Sequence, residues 1–149
     1  MTGSGPARRC TVPATQLAAV SEKVVKAIVA ADWPGLADCY AADVLLDMNL
    51  PTWRFQLQGR DTVREYFVEQ TSGLANLRTT SHNALEIADG LIVEEEMRFD
   101  GDGGEYLWRS IDIFHVAGEE VVEHVQYCTG CWTPDQIARQ AGEAPMLRW

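Results

Sequence analysis

Asp112 is the residue whose placement most demands a chemical reason. It lies between Ile111 and Ile113 inside a long run of strand-forming residues, 105–117. A carboxylate at such a position is costly to bury unless it is paired, or kept neutral by a raised pKa. Alternate residues on a strand face opposite ways. Trp108, Ser110, Asp112 and Phe114 therefore share one row, and Leu107, Arg109, Ile111, Ile113 and His115 the other. The next β segment, 120–130, puts His124, Gln126 and Cys128 in one row, against Val121, Glu123, Val125 and Tyr127. The first of these rows is mixed polar, as expected of a specific cavity wall rather than a dry core. An aspartate and a histidine lining one cavity are the residue types of general acid–base catalysis.

Other candidates lie upstream. Asp47 and Asn49 precede Leu50-Pro51, and Trp53, Phe55 and Leu57 form an alternating apolar row that packs or offers a ligand platform. On segment 91–100, Glu94, Glu96 and Arg98 share one row, while Val93, Glu95, Met97 and Phe99 share the other. The simple reading sends the apolar row inward and the charged row to water. The alternative brings Glu96 and Arg98 into a polar pocket opposite Asp112. Each candidate also has a structural reading: Asp112 paired with an arginine, His124 a satisfied buried histidine, Asp47 and Asn49 turn-side polar groups.

Several chemistries lack their motifs. Cys128-Thr-Gly-Cys131 is a lone pair without a second ligand pair or a helix N-terminus behind it, so free thiols are expected and no metal. Gly101, Gly103 and Gly104 mark a hairpin tip, not a phosphate loop. With no nucleophile elbow, zincin helix or dinucleotide fingerprint, no cofactor is expected.

The elements that must position these residues follow from periodicity. Leu17, Val20, Val24 and Ile28 predict a helix over 14–31 with one buried face. Asp32-Trp33-Pro34 starts a second, short helix to about Tyr40, with Asp32 as N-cap. Segments 44–49 and 53–58 read as strands, and Asp61 is placed to cap a third helix through about Gln70. Four long β segments then follow, 77–88, 91–100, 105–117 and 120–130, separated by Asp89-Gly90, the Asp100–Gly104 cluster and Gly118-Glu119. Thr133-Pro134-Asp135-Gln136 has capping-box spacing and starts a C-terminal helix. Helices followed by an antiparallel meander predict an α+β fold, and a strongly curved sheet closed by helices would enclose a cavity.

The 149 residues suit one domain, expected over 14–149 behind a flexible tail, 1–13. With 22 acidic against 12 basic residues and a formal charge of −10, neither nucleic acid nor an anionic membrane is an expected partner. No run of about 18 apolar residues occurs and no signal-peptide pattern opens the chain, so a cytoplasmic location is expected.

The order of elements resembles the nuclear transport factor 2-like superfamily and its SnoaL-like branch: two helices ending in Tyr40-Ala-Ala-Asp43, a strand, the Gly59-Arg60-Asp61 helix, then four strands. The resemblance covers about residues 15–133. It implies a cone-shaped α+β fold with an open apolar pocket, paired sheet to sheet as a homodimer. Ser110-Ile-Asp-Ile-Phe114 resembles the ketosteroid isomerase segment whose protonated aspartic acid helps form an oxyanion hole, which implies that role for Asp112. Val24 stands near that enzyme's helix tyrosine, and its base falls among Asp47, Met48 and Asn49. Asp47–Pro51 also resembles limonene-epoxide hydrolase, with Asn49 on its water-holding asparagine. Glu96-x-Arg98 lies where that hydrolase has an arginine–aspartate pair, and Gln126 where it has an aspartate.

The combined expectation is a cofactor-independent enzyme moving a proton on a largely apolar small molecule, by isomerisation, dehydration, cyclisation or hydrolysis. Asp47 or His124 would be the base and Asp112 the oxyanion donor. Asn49, Glu96, Arg98 and Gln126 would orient substrate or water, with Trp53, Trp108 and Phe114 as apolar contacts. A non-catalytic binding module is the rival, and a pure dimerisation domain, which would have a filled cone, the third.

Overall fold

A computed structural model describes residues 11–147. Most of the expected tail, including Cys10, and the terminal Arg148 and Trp149 lie outside the described residues. Val12, within the expected tail, is buried in the core.

The apolar stripe of Leu17, Val20, Val24 and Ile28 forms the buried face of α1 (Ala14–Val29). Ala31 turns the chain at a φ of 54°, and the Asp32 carboxylate accepts from the Gly35 amide at 2.9 Å to cap α2 (Trp33–Leu36). A 3₁₀ turn, Ala37–Cys39, takes up the rest of the second helix expected from sequence. β1 (Tyr40–Leu50) therefore starts four residues earlier than expected, and β2 (Trp53–Gln58) follows it by a tight turn. α3 (Arg60–Thr71) is entered through Gly59 at a φ of 97°, so Asp61 sits in the first turn rather than at the cap. There its charge still favours the helix N-terminus. β3 (Ala75–Ile87), β4 (Gly90–Gly101), β5 (Gly104–Ala117) and β6 (Glu120–Cys128) form the meander. α4 (Pro134–Glu143) carries the full Thr133–Gln136 capping box.

The six strands make one curved, unclosed sheet in the order β2-β1-β6-β5-β4-β3. All pairings are antiparallel except β1 with β6, which is parallel. The expected antiparallel meander is present, and the parallel β1–β6 pairing makes the sheet as a whole mixed. Hairpins force antiparallel pairing, but β1 and β6 are joined by most of the domain and carry no such constraint. Between His115 and Val116 the β5–β6 register shifts, leaving Val122 as an extra residue in β6. This bulge lets Val121 and His124 both face the core despite opposite parity.

α1 packs on β3 and β4, and α3 on β1 and β2, so the helices fill the concave side. Gly90 at the β4 entry is required by close approach: a Cβ there would lie 1.8 Å from the Phe114 carbonyl oxygen. Gly90→Ala should therefore cost about 1–3 kcal/mol or more through forced strand separation, read as a lower urea midpoint. An unchanged midpoint would mean that β4 and β5 part freely at this point.

Candidate active site

Register decides which candidates meet. On β5 the inward row is Trp108, Ser110, Asp112 and Phe114, and on β6 it is His124, Gln126 and Cys128. Asp112 and His124 are both fully buried, and Gln126 nearly so. Asp112 lies opposite Gln126 in the register, and Phe114 opposite His124. The Phe114 ring stacks on the imidazole with centroids 4.2 Å apart.

These side chains form one directional network. The Tyr40 hydroxyl lies 2.7 Å from His124 Nδ1, and His124 Nε2 lies 2.7 Å from Asp112 Oδ1. The Gln126 amide donates to the same Oδ1 at 2.8 Å. Burial and the nearby Asp112 charge hold the Tyr40 phenol well above its usual pKa, so it is a donor. Its O–H donates a hydrogen bond to the Nδ1 lone pair, which leaves the imidazole neutral with its own proton on Nε2, pointing at Asp112. Oδ1 thus accepts twice, while Oδ2 is buried with no hydrogen-bond partner.

A second carboxyl lies beside it. Glu95 is in the inward row of β4 with Leu91, Val93, Met97 and Phe99, and is only 1% exposed. Ser110, opposite it in the register, donates to its Oε1 at 3.0 Å, and its Oε2 has no partner. Burial first, and then the Asp112 charge, push its pKa up to about 9. Burial thus drives Glu95 toward the protonated form, the role the sequence reading gave to Asp112. Asp112's Oδ1 is engaged as a double acceptor instead.

Four candidates are not brought to this site. Asp47 and Asn49 alternate with the inward Leu46 and Met48 and lie on the outer sheet face. There Asp47 accepts from Arg54 at 2.9 and 2.6 Å and from Gln56 at 3.1 Å, contacts that hold its carboxyl below the usual range. Asn49 donates to the Gln126 backbone carbonyl at 3.3 Å. Glu96 and Arg98 are also on the outer face, 2.7 Å apart, with Arg98 reaching Glu105 at 2.5 Å. The reason is parity: one residue along a strand reverses the face.

Above the network, between sheet and α3, opens a cavity of about 480 Å³. Trp33, Trp53, Tyr66, Phe67, Phe99 and Trp108 supply its aromatic wall, and Gln126, Cys128 and Cys131 its polar end. Trp53 is 69% exposed, at the rim. Burial raises both thiol pKa values, so Cys128 and Cys131 are protonated thiols near neutral pH. Asp112, His124, Glu95 and Phe114 lie beneath the cavity floor, and Gln126 joins the two levels. Among the described residues no cluster of three or more histidine, cysteine or acidic side chains is placed to hold a metal ion.

Sequence reasoning missed Glu95 and Tyr40. The signal for Glu95 was a carboxylate in an otherwise apolar row. For Tyr40 there was none, because its partner is 84 residues away.

This curved sheet, helix-covered on its concave side, has the nuclear transport factor 2-like fold. The profile of the SnoaL-like domain matches residues 21–124, and the chain belongs to that family, which includes isomerases and related enzymes. A nuclear transport factor 2-like protein from Anabaena variabilis superposes with a TM-score of 0.63 at 15% identity, covering 81% of this chain and 95% of its own. A phenazine biosynthesis-related protein from Pseudomonas aeruginosa gives 0.61 at 15%, over 91% and 93%. A protein of ketosteroid isomerase-like fold from Catenulispora acidiphila, solved in complex with trimethylamine, gives 0.59 at 15%, over 83% and 92%. No curated protein matches the sequence.

Proposed function

We propose that the chain is a cofactor-independent acid–base enzyme that takes a largely apolar small molecule into the aromatic cavity and moves a proton at its polar end. The observation that carries this reading is the pairing of two unlike carboxyls under the cavity floor. Asp112 is an acceptor with a free Oδ2, and Glu95 is a neutral acid with a free Oε2. Two neighbouring carboxyls in unlike surroundings, one accepting two N–H hydrogen bonds and the other driven by burial toward its protonated form, are suited to serve as base and acid. His124 and Tyr40 fix the orientation of Asp112, and Gln126 orients the substrate. Because Gln126 covers Asp112, its side chain must move aside before a substrate proton reaches Oδ2.

The test is exchange of the α-protons of a bicyclic ketone, β-tetralone, with deuterium oxide, followed by NMR. The protein should accelerate exchange over buffer, and Asp112→Asn should remove about 10²–10⁴-fold of that rate without unfolding the chain. Equal exchange by the variant would sink the assignment of Asp112.

One observation favours a second reading, a binding module without catalysis: Asp112 and His124 are wholly closed off from the cavity. On that reading β-tetralone broadens in the NMR spectrum yet exchanges no faster than in buffer.

A further inference from the structure

We infer that the cavity selects an organic cation, an ammonium centre carried on an apolar body, over a neutral or anionic molecule of the same shape. This deepens the reading of the cavity as the ligand site and rests on it.

The argument starts from the direction of the hydrogen bonds. The Tyr40 hydroxyl donates a hydrogen bond to His124 Nδ1, so the histidine meets Asp112 as a neutral Nε2–H donor and brings no positive charge. Gln126 also meets Asp112 as a neutral donor. The arginines nearest in sequence, Arg98 and Arg109, are on the outer sheet face with Glu96 and Glu105. Asp112 is therefore a buried acceptor whose described partners are all neutral donors.

Its polarity is passed upward to the cavity. A carboxylate only accepts, so the Gln126 amide must turn its NH₂ toward Asp112. Its carbonyl oxygen, the negative pole, is left without a donor on a side chain that lines the cavity. The remaining wall adds the same sign. Six aromatic side chains line the cavity, and the face of an aromatic ring attracts a cation. No lysine or arginine is among the cavity-lining residues, so an anionic ligand would lose its hydration with nothing in exchange. Among the described residues neither buried carboxyl beneath the floor meets a cationic side chain: Glu95 accepts from Ser110, and Asp112 from His124 and Gln126.

The experiment compares three probes of matched shape. Benzyltrimethylammonium is titrated against its uncharged carbon isostere, neopentylbenzene, and against phenylmethanesulfonate, with the fluorescence of the cavity tryptophans as readout. The cation should bind at least tenfold tighter than the isostere, and the sulfonate should show no saturable binding. Asp112→Asn should reduce the preference to within threefold, and Gln126→Leu should weaken it in the same direction. The isosteric pair decides the matter on the unmodified chain, even if a variant fails to fold. If the isostere binds as tightly as the cation, or the sulfonate binds best, the charge inference is wrong while the cavity reading stands. If none of the three binds, both fail together.

Discussion

With Glu95 replaced by glutamine, the protein should lose a decline in stability that the unmodified chain shows as pH rises from about 5 to 9. The sign follows from proton counting. The Glu95 carboxyl is raised from 4.5 to about 9 in the folded chain, and returns to its ordinary value on unfolding. Between those values the folded state holds one proton more than the unfolded state. The stabilising contribution of this group is complete below its unfolded pKa and is lost as pH climbs through the folded one. The slope is about −1.4 kcal/mol per pH unit. Glutamine keeps an acceptor for the Ser110 hydroxyl and cannot titrate, so Glu95→Gln should be the more stable chain at pH 8, by an amount on the order of several kcal/mol. Urea midpoints at pH 5, 7 and 9 measure it. An identical pH slope in the variant would mean that Glu95 is ionised in the fold.

The second large effect concerns the relay through His124. Asp112→Ala takes the acceptor from two buried N–H groups, at a cost of about 1–3 kcal/mol for each. Tyr40→Phe leaves His124 Nδ1 without its donor, and should cost about 1–3 kcal/mol by the same reasoning. Tyr40 and Asp112 do not touch, yet both hold the same imidazole at 2.7 Å. The double variant should therefore depart from the sum of the single ones by about 0.5–3 kcal/mol, since bonds in one polarised chain are not independent. Additivity within experimental error would mean that His124 transmits nothing between them.

How much of this site was legible depended on how far apart its partners lie in the chain. Turn chemistry such as Asp89-Gly90 and the Thr133–Gln136 capping spacing are local, and both appear in the structure where the sequence places them. Strand parity brought Asp112, His124 and Gln126 to one face because β5 and β6 are a hairpin with register set across a short turn. Parity failed as a guide for Asp47 and Asn49, since nothing local says which face of β1 meets the helices. That face is chosen by the parallel pairing with β6, far away in sequence. Glu95 was hidden by its neighbours. Between Glu94 and Glu96 it reads as one member of a solvated acidic run, although its row-mates Val93 and Met97 are core residues. The cavity level was also illegible, because only packing in three dimensions separates what lines the pocket from what lies under it.

The union of the first and last strands has a kinetic consequence. Tyr40 and His124 meet across 84 residues of chain, and closing so long a loop is slow because its entropy is lost before its contacts are gained. The hairpins of the meander can form early, but the aspartate–histidine–tyrosine relay exists only once β6 docks beside β1. During synthesis the first three helices and first five strands emerge before His124 and Gln126 do. A chain at that stage has the aromatic walls without the floor. On the proposed reading, ligand capture is thereby reserved for the finished molecule, and the recovery of cavity binding after dilution from denaturant should mark the last step of folding rather than the first.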